Sequence, residues 1–233
     1  MLNEKEKEKY NRQLIIPGFG SEGQQKLKSS KVLVVGLGGL GSGVLYYLAS
    51  AGIGTIGIID KDNVELSNLN RQILHYEDDL NKPKTDSARE KIQKMNKDIK
   101  ITTYNETLTR ENAEGILSGY DFVVEASDNF ETKFLVNDFC VKLGIPFVIG
   151  GVLQFEGQLM TVLPGKSACY RCMFKELPEK GTYPTTDKEG IIGTVAGLFG
   201  IIEANEAIKY IVFNDPEKLL ANKILYIELR SNN

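Results

Sequence analysis

Four stretches of this 233-residue chain hold residues of the type and spacing for phosphate chemistry. In "VVGLGGLGSG", residues 34–43, Gly36, Gly38 and Gly41 form G-x-G-x-x-G behind a β-branched run. The first glycine permits a tight turn, the second lets backbone approach a phosphate, and the third lets helix pack on strand. A helix starting there offers free N–H groups and its positive dipole end to an anion. Asp60 closes the next β-branched run, where an acid holds ribose hydroxyls. In "DKDNVELSNLNRQIL", helical spacing puts Leu66, Leu69 and Ile73 on one face and Asn68, Arg71 and Gln72 on the other. A guanidinium there would grip phosphate in a two-pronged contact; otherwise this is an ordinary amphipathic surface helix. In "NKPKTDSARE", Pro83 sets the chain before a helix, Lys84 precedes that helix, and Ser87 with Glu90 suits a capping box. Lys84 is then a point charge near a helix N-terminus, or a solvated lysine. In "EASDNFET", Asp128 either caps a helix, with Glu131 three residues on, or holds Mg²⁺ on phosphates.

The elements that must position these residues are short. Strands are predicted at 31–35, 55–60, 99–105, 121–126 and 146–151. Between them lie the helical patterns "SGVLYYLASAG", "SAREKIQKMN" and "FETKFLVNDFCVKLG". This alternation predicts an α/β fold, a Rossmann-like, doubly wound and mostly parallel sheet with right-handed crossovers. "GQLMTVLPGKSACYRC" and "KILYIELR" read as strands without helical partners and extend the sheet antiparallel. Residues 194–212 read as one long helix that tolerates Gly197 and Gly200. The glycine turn, Asp60 and Asp128 all fall at carboxyl ends of predicted strands. Open α/β sheets bind ligands along that edge.

A hydrophobic content of 42% supports a substantial core, and the length suits a single domain over 1–233. No segment has the roughly 18 unbroken apolar residues of a membrane span. The start, "MLNEKEKEKYNRQ", is too charged for a signal peptide. Three cysteines without disulfide-rich spacing suit a reducing cytoplasm. With net charge −3 and no basic block beyond the mixed "EKEKEK", nucleic acid is not an expected partner. His75, the one histidine, reads as a surface residue, and Cys140 as buried core. From the residues alone, an NAD(P)-dependent oxidoreductase explains Gly36–Gly41 and Asp60 but leaves Arg71, Lys84 and Asp128 unused.

Taken together, "GLGGLGSG", "IIDKDNVELSNLNRQ", "KPKTDSA", "SDN" and "CYRC" resemble the ThiF/MoeB/HesA adenylyltransferases, relatives of the ubiquitin-activating enzymes. The likeness runs from "YNRQL" at 10–14 to about residue 212. It implies use of ATP to adenylate the C-terminal Gly-Gly carboxylate of a small ubiquitin-like sulfur-carrier protein, releasing pyrophosphate. It also implies a homodimer. By that resemblance Gly39 and its neighbours pack against ATP, and Asp60 binds ribose. Asn68, Arg71 and Lys84 bind phosphates, and Ser67 and Gln72 lie at the nucleotide. Asp128 holds Mg²⁺ with Asn129 beside the nucleotide, and Arg12 reaches the partner subunit's ATP. Arg12, Arg71, Lys84 and Asp128 are then the catalytic group. Residues 1–30 form a helical arm, and 173–190 a mobile crossover loop.

The sequence also departs from that pattern. Cys169 and Cys172 form one C-x-x-C pair, whereas the family's zinc site takes a second pair that is not present here. Zinc is then lost, held by two cysteines plus other ligands, or replaced by a redox or vestigial pair. Thr186 stands where the ThiF branch carries a loop cysteine, so adenylation is expected without a thioester or persulfide on that loop. The "GTYP" stretch and the short chain favour the thiazole (thiamine) branch over the molybdopterin branch. A catalytically inactive nucleotide- or carrier-binding module is the non-enzyme alternative.

Overall fold

Each of the five β-branched runs forms a strand close to its predicted limits. The computed structural model describes residues 1–179 and 181–231; Lys180 of the expected crossover loop, and residues 232 and 233, lie outside the described residues. The chain runs α1 (Glu4–Lys9), α2 (Asn11–Leu14), α3 (Gly20–Ser29), β1 (Lys31–Val35), α4 (Gly39–Ala51) and β2 (Thr55–Ile59). It continues through α5 (Lys84–Met95), β3 (Lys100–Tyr104), α6 (Ala113–Leu117), β4 (Phe122–Glu125) and α7 (Phe130–Leu143). Then follow β5 (Phe147–Leu153), β6 (Glu156–Val162), α8 (Tyr170–Met173), α9 (Thr186–Glu189), α10 (Gly193–Phe213) and β7 (Leu225–Glu228).

The strands form one sheet in the order β3-β2-β1-β4-β5-β6-β7. The first five in that order pair parallel, and β6 and β7 add antiparallel, as expected for the two strand stretches of the second half. Strand order reverses beside β1, which lies between β2 and β4. That reversal opens a crevice past the carboxyl ends of β1 and β4. Alternate strand residues feed two cores. Val32, Val34 and Phe122 pack with α4 and α10 on one side. Leu33, Val35, Val123 and Phe147 pack with α6 and α7 on the other. Helix ends follow local chemistry: α4 stops at Gly52 (φ 89°) and α7 at Gly144 (φ 72°), both left-handed. Among the described residues no helix is long and apolar enough to cross a membrane.

Three local expectations fail. Residues 65–73 are not a regular helix but a single 3₁₀ turn, Leu66–Asn68, followed by turns. Its faces are also reversed: Leu66 and Ile73 are exposed, while Asn68 and Gln72 are buried. Helix α5 begins at Lys84 itself, because Pro83 (φ −53°) already sets the entry and the Lys84 N–H donates to the Asp62 carbonyl. Ser87 therefore lies inside the helix and caps nothing; its hydroxyl meets His75 instead. The cap of α7 is Asn129, whose Oδ1 accepts from the Thr132 N–H at 2.8 Å, not Asp128. Gly200 is required rather than tolerated: a Cβ there would lie 2.2 Å from the Leu40 carbonyl oxygen, so α10 rests on α4 by glycine contact.

Candidate active site

A cavity of about 920 Å³ occupies the crevice. Its floor is the glycine turn. Gly36 takes φ 93°, and a Cβ there would meet the Ala126 carbonyl oxygen at 2.8 Å, so the ends of β1 and β4 close on one another. Gly41 faces back into this turn; its Cβ would lie 2.1 Å from the Gly36 carbonyl oxygen. Gly38 and Gly39 line the cavity. Asp60 ends β2, and its carboxylate accepts from the Leu37 and Asp62 N–H groups, each at 2.8 Å. Burial pushes the Asp60 carboxyl up, while Lys84 and these two N–H donors pull it back.

Arg71, Gln72 and Lys84 line the same cavity, Arg71 beside Gly39 and Gln72 beside Gly38. The reversed faces of 65–73 explain this: the stretch presents its polar side inward. Gly193, at the start of α10, would carry a Cβ 2.7 Å from the Asn70 carbonyl oxygen, so that helix presses Arg71 toward Gly39. Among the described residues the Arg71 guanidinium bonds only local acceptors, the Ser67 carbonyl at 2.8 Å and Asn70 Oδ1 at 3.5 Å. Gln72 is 4% exposed, and among the described residues its Oε1 has no hydrogen-bond partner. An orphaned buried acceptor is costly unless a ligand donor or a water meets it. Lys84 is 6% exposed rather than solvated, and its Nζ lies 3.3 Å from Asp62 Oδ2.

Asp128 lines the cavity from the end of β4 with its carboxylate exposed and, since Asn129 takes the cap, free of helix duty. Asn129 lines the cavity too. One exposed carboxylate at the cavity suits Mg²⁺, which commonly takes one or two protein carboxylates and completes its shell with other oxygen ligands. The cysteine pair does not suit a closed zinc site. Cys169 and Cys172 Sγ atoms are 3.8 Å apart, but among the described residues no group of three or more His, Cys, Asp or Glu is placed to hold a metal.

The remaining predicted residues stand elsewhere. Asn68 is buried, its Oδ1 accepting from the Glu65 N–H at 3.1 Å, and does not line the cavity. Ser67, Arg12 and the cysteine pair do not line it either. Arg12 is exposed on α2. Thr186, with Tyr183, Pro184 and Thr185, does line it, and Tyr183 packs edge-on against Phe130 at 4.6 Å. Sequence reasoning missed Lys133. Its Nζ donates to Glu125 Oε2 (2.5 Å) and to the carbonyls of Gly150 (2.6 Å) and Ser127 (2.8 Å), tying β4, β5 and the Asp128 loop together. It also missed Arg171, a cavity residue held by Asp138 through Nε and Nη2. Neither carries a spacing signal: Lys133 reaches back to Glu125 and Ser127 at separations that match no helix or strand period, and Arg171 pairs with the distant Asp138. His75 is 3% exposed, not a surface residue.

The ThiF family matches residues 10–233. The chain is 41% identical over 95% of its length to the SAMP-activating enzyme E1 of Haloferax volcanii, covering 81% of that protein. It is 41% identical over 97% of its length to the sulfur carrier protein adenylyltransferase of Thermus thermophilus, covering 85% of it. It is 46% identical over 92% of its length to the adenylyltransferase and sulfurtransferase MOCS3 of Culex quinquefasciatus, but spans only 49% of that longer protein. Among solved structures, E. coli MccB with MccA-N7isoASN superposes with a TM-score of 0.85 at 26% identity, covering 97% of this chain and 70% of that one. E. coli MccB with ATP gives 0.80 at 28%, covering 91% and 63%. The chain belongs to the ThiF family and is an adenylyltransferase of that family.

Proposed function

We propose that the chain uses ATP to adenylate the C-terminal Gly-Gly carboxylate of a small ubiquitin-like sulfur-carrier protein. A carboxylate oxygen attacks the α-phosphorus, the bond to the β-phosphate oxygen breaks, and pyrophosphate leaves. The observation that carries this reading is that Arg71 and Lys84 line one cavity with the glycine turn and Asp60. A nicotinamide site would leave both cations without work. Two anions must approach one another, so neutralising and positioning groups supply most of the rate and no side-chain nucleophile is needed. Asp60 takes the ribose, the Gly38–Gly39 backbone lies along the nucleotide, and Arg71 and Lys84 take the charge of the phosphates. Mg²⁺, held by Asp128 when bound, adds charge neutralisation at the leaving oxygens. The loop through Tyr183–Thr186 borders the same cavity and suits closure over the carrier's tail.

The relatives named for sulfur carriers support the partner class. The thiazole branch is our preferred assignment over the molybdopterin branch, on the "GTYP" stretch. The test is pyrophosphate exchange into ATP with Mg²⁺, with and without carriers of each branch ending in Gly-Gly. Exchange that requires a carrier and its terminal carboxylate is the expected result. ATP binding without exchange, with every carrier tried, would instead make the chain an inactive binding module.

A further inference from the structure

We propose that His75 is a positioning residue of the nucleotide site: its imidazole holds the Leu37 carbonyl and so turns the Gly38 N–H into the nucleotide cavity. The proposal rests on the nucleotide reading above. His75 Nε2 lies 3.1 Å from the Leu37 carbonyl oxygen, and Nδ1 lies 2.8 Å from Ser87 Oγ. A carbonyl only accepts, so Nε2 carries the proton and Nδ1 accepts from the Ser87 hydroxyl. Ser87 Oγ in turn accepts from Lys91 Nζ at 3.1 Å, and Lys91 is paired with Asp79. Donors therefore point one way along the whole chain, from Lys91 through Ser87 and His75 to Leu37. The opposite tautomer would leave the Leu37 carbonyl without its donor. Burial, which lowers the imidazole pKa to about 4, keeps the ring neutral in this chain of bonds.

Leu37 is thus fixed at both backbone groups, because its N–H donates to Asp60 Oδ2. The Leu37 carbonyl and the Gly38 N–H belong to one planar peptide and point in opposite directions. With the carbonyl drawn toward the buried imidazole, the Gly38 N–H points away from it. Gly38 lines the cavity, and among the described residues its N–H has no acceptor. The same peptide plane links the buried face of α5 to the nucleotide cavity.

Because the chain has one histidine, ¹⁵N-histidine labelling of the full protein gives a single imidazole to read. The expected spectrum at neutral pH has a pyridine-like Nδ1 and a protonated, pyrrole-like Nε2. In parallel, ATP binding and exchange kinetics are measured for His75→Leu, which removes the donor, and for His75→Gln, which restores one. His75→Leu is expected to raise the ATP Kd and KM about tenfold with kcat nearly unchanged, and His75→Gln to recover most of that loss. A purely structural role would lower the unfolding midpoint of both variants without this KM-only pattern. Should His75→Leu not fold, the wild-type spectrum and His75→Gln still decide. An Nδ1–H tautomer, a charged ring at neutral pH, or wild-type ATP affinity in a folded His75→Leu would overturn the proposal alone. Absence of ATP binding to the wild type would overturn the nucleotide reading and the proposal together.

Discussion

Arg71 is half-buried, and among the described residues its guanidinium holds only a carbonyl and an amide oxygen of its own turn. It is therefore available to an anion, and its loss costs the fold little. Arg71→Ala should lower pyrophosphate exchange about 10²- to 10³-fold, the usual cost of removing one preorganised charge, with an unchanged circular dichroism spectrum. Full activity in that variant would remove Arg71 from the phosphate site. Lys133 behaves differently, because it is buried and all three of its donors are committed to Glu125, Ser127 and Gly150. Lys133→Met strands a buried carboxylate and two carbonyls. It should lower the urea midpoint by the equivalent of about 3–5 kcal/mol, read by chemical denaturation. A midpoint equal to wild type would mean that Glu125 is satisfied without it. This contrast shows what the sequence made legible. Gly36, Gly38, Asp60 and Asp128 follow strand ends, and that spacing brings them to one edge; Arg71 and Lys84 lie between β2 and α5, and the family resemblance marked them. Lys133 bonds Glu125 and Ser127, and His75 bonds Ser87, at separations that follow no helix or strand period, while Arg171 pairs with the distant Asp138.

At the scale of elements, strand–helix alternation predicted the parallel sheet because a β-branched run and a crossover helix are each local events. Periodicity misled at 65–73, where Leu66 and Ile73 face outward while Asn68 and Gln72 are buried and Arg71 and Gln72 line the cavity. Helical spacing identifies two faces but does not say which is buried, and a ligand crevice reverses the ordinary answer. The long helix 193–213 was legible as a helix, yet its glycines were not legible as contacts. Gly200 lets α10 sit on the Leu40 carbonyl, and Gly43 would bring a Cβ within 3.1 Å of the Gly197 carbonyl oxygen. Backbone cannot retreat as a flexible side chain can. Gly200→Ala should therefore destabilise the protein by about 1–3 kcal/mol or more despite the better helix propensity of alanine. Urea denaturation measures this, and a stabilised Gly200→Ala would show that the two helices do not approach so closely.

The whole molecule responds to pH through the same buried histidine. Its folded pKa, about 4, lies below the ordinary 6.5, so between these values the unfolded chain binds the extra proton and the folded chain does not. Stability from this group is complete above pH 6.5 and is lost as pH falls toward 4, by about 2 kcal/mol at pH 5. The difference in urea midpoint between pH 7 and pH 5 should shrink in His75→Gln. Equal pH dependence in the two proteins would rule out the buried neutral ring. Assembly was not legible in either the helices or the strands, since Arg12 is exposed and off the cavity of its own chain. If Arg12 serves a second copy, as the family resemblance implies, two inactive variants should complement each other. Consider chains with Arg12→Ala mixed in equal amounts with chains with Asp128→Ala. In a mixed dimer, the site on the Arg12→Ala subunit keeps its own Asp128 and receives Arg12 from its partner, so it is whole. The other site carries both lesions. Half of the dimers are mixed and half of their sites are whole, so activity should return to about a quarter of wild type. If Arg12 acts on its own subunit, every site in the mixture carries a lesion and no activity returns. Mixing the two proteins after separate purification, with time for subunit exchange, distinguishes the two arrangements.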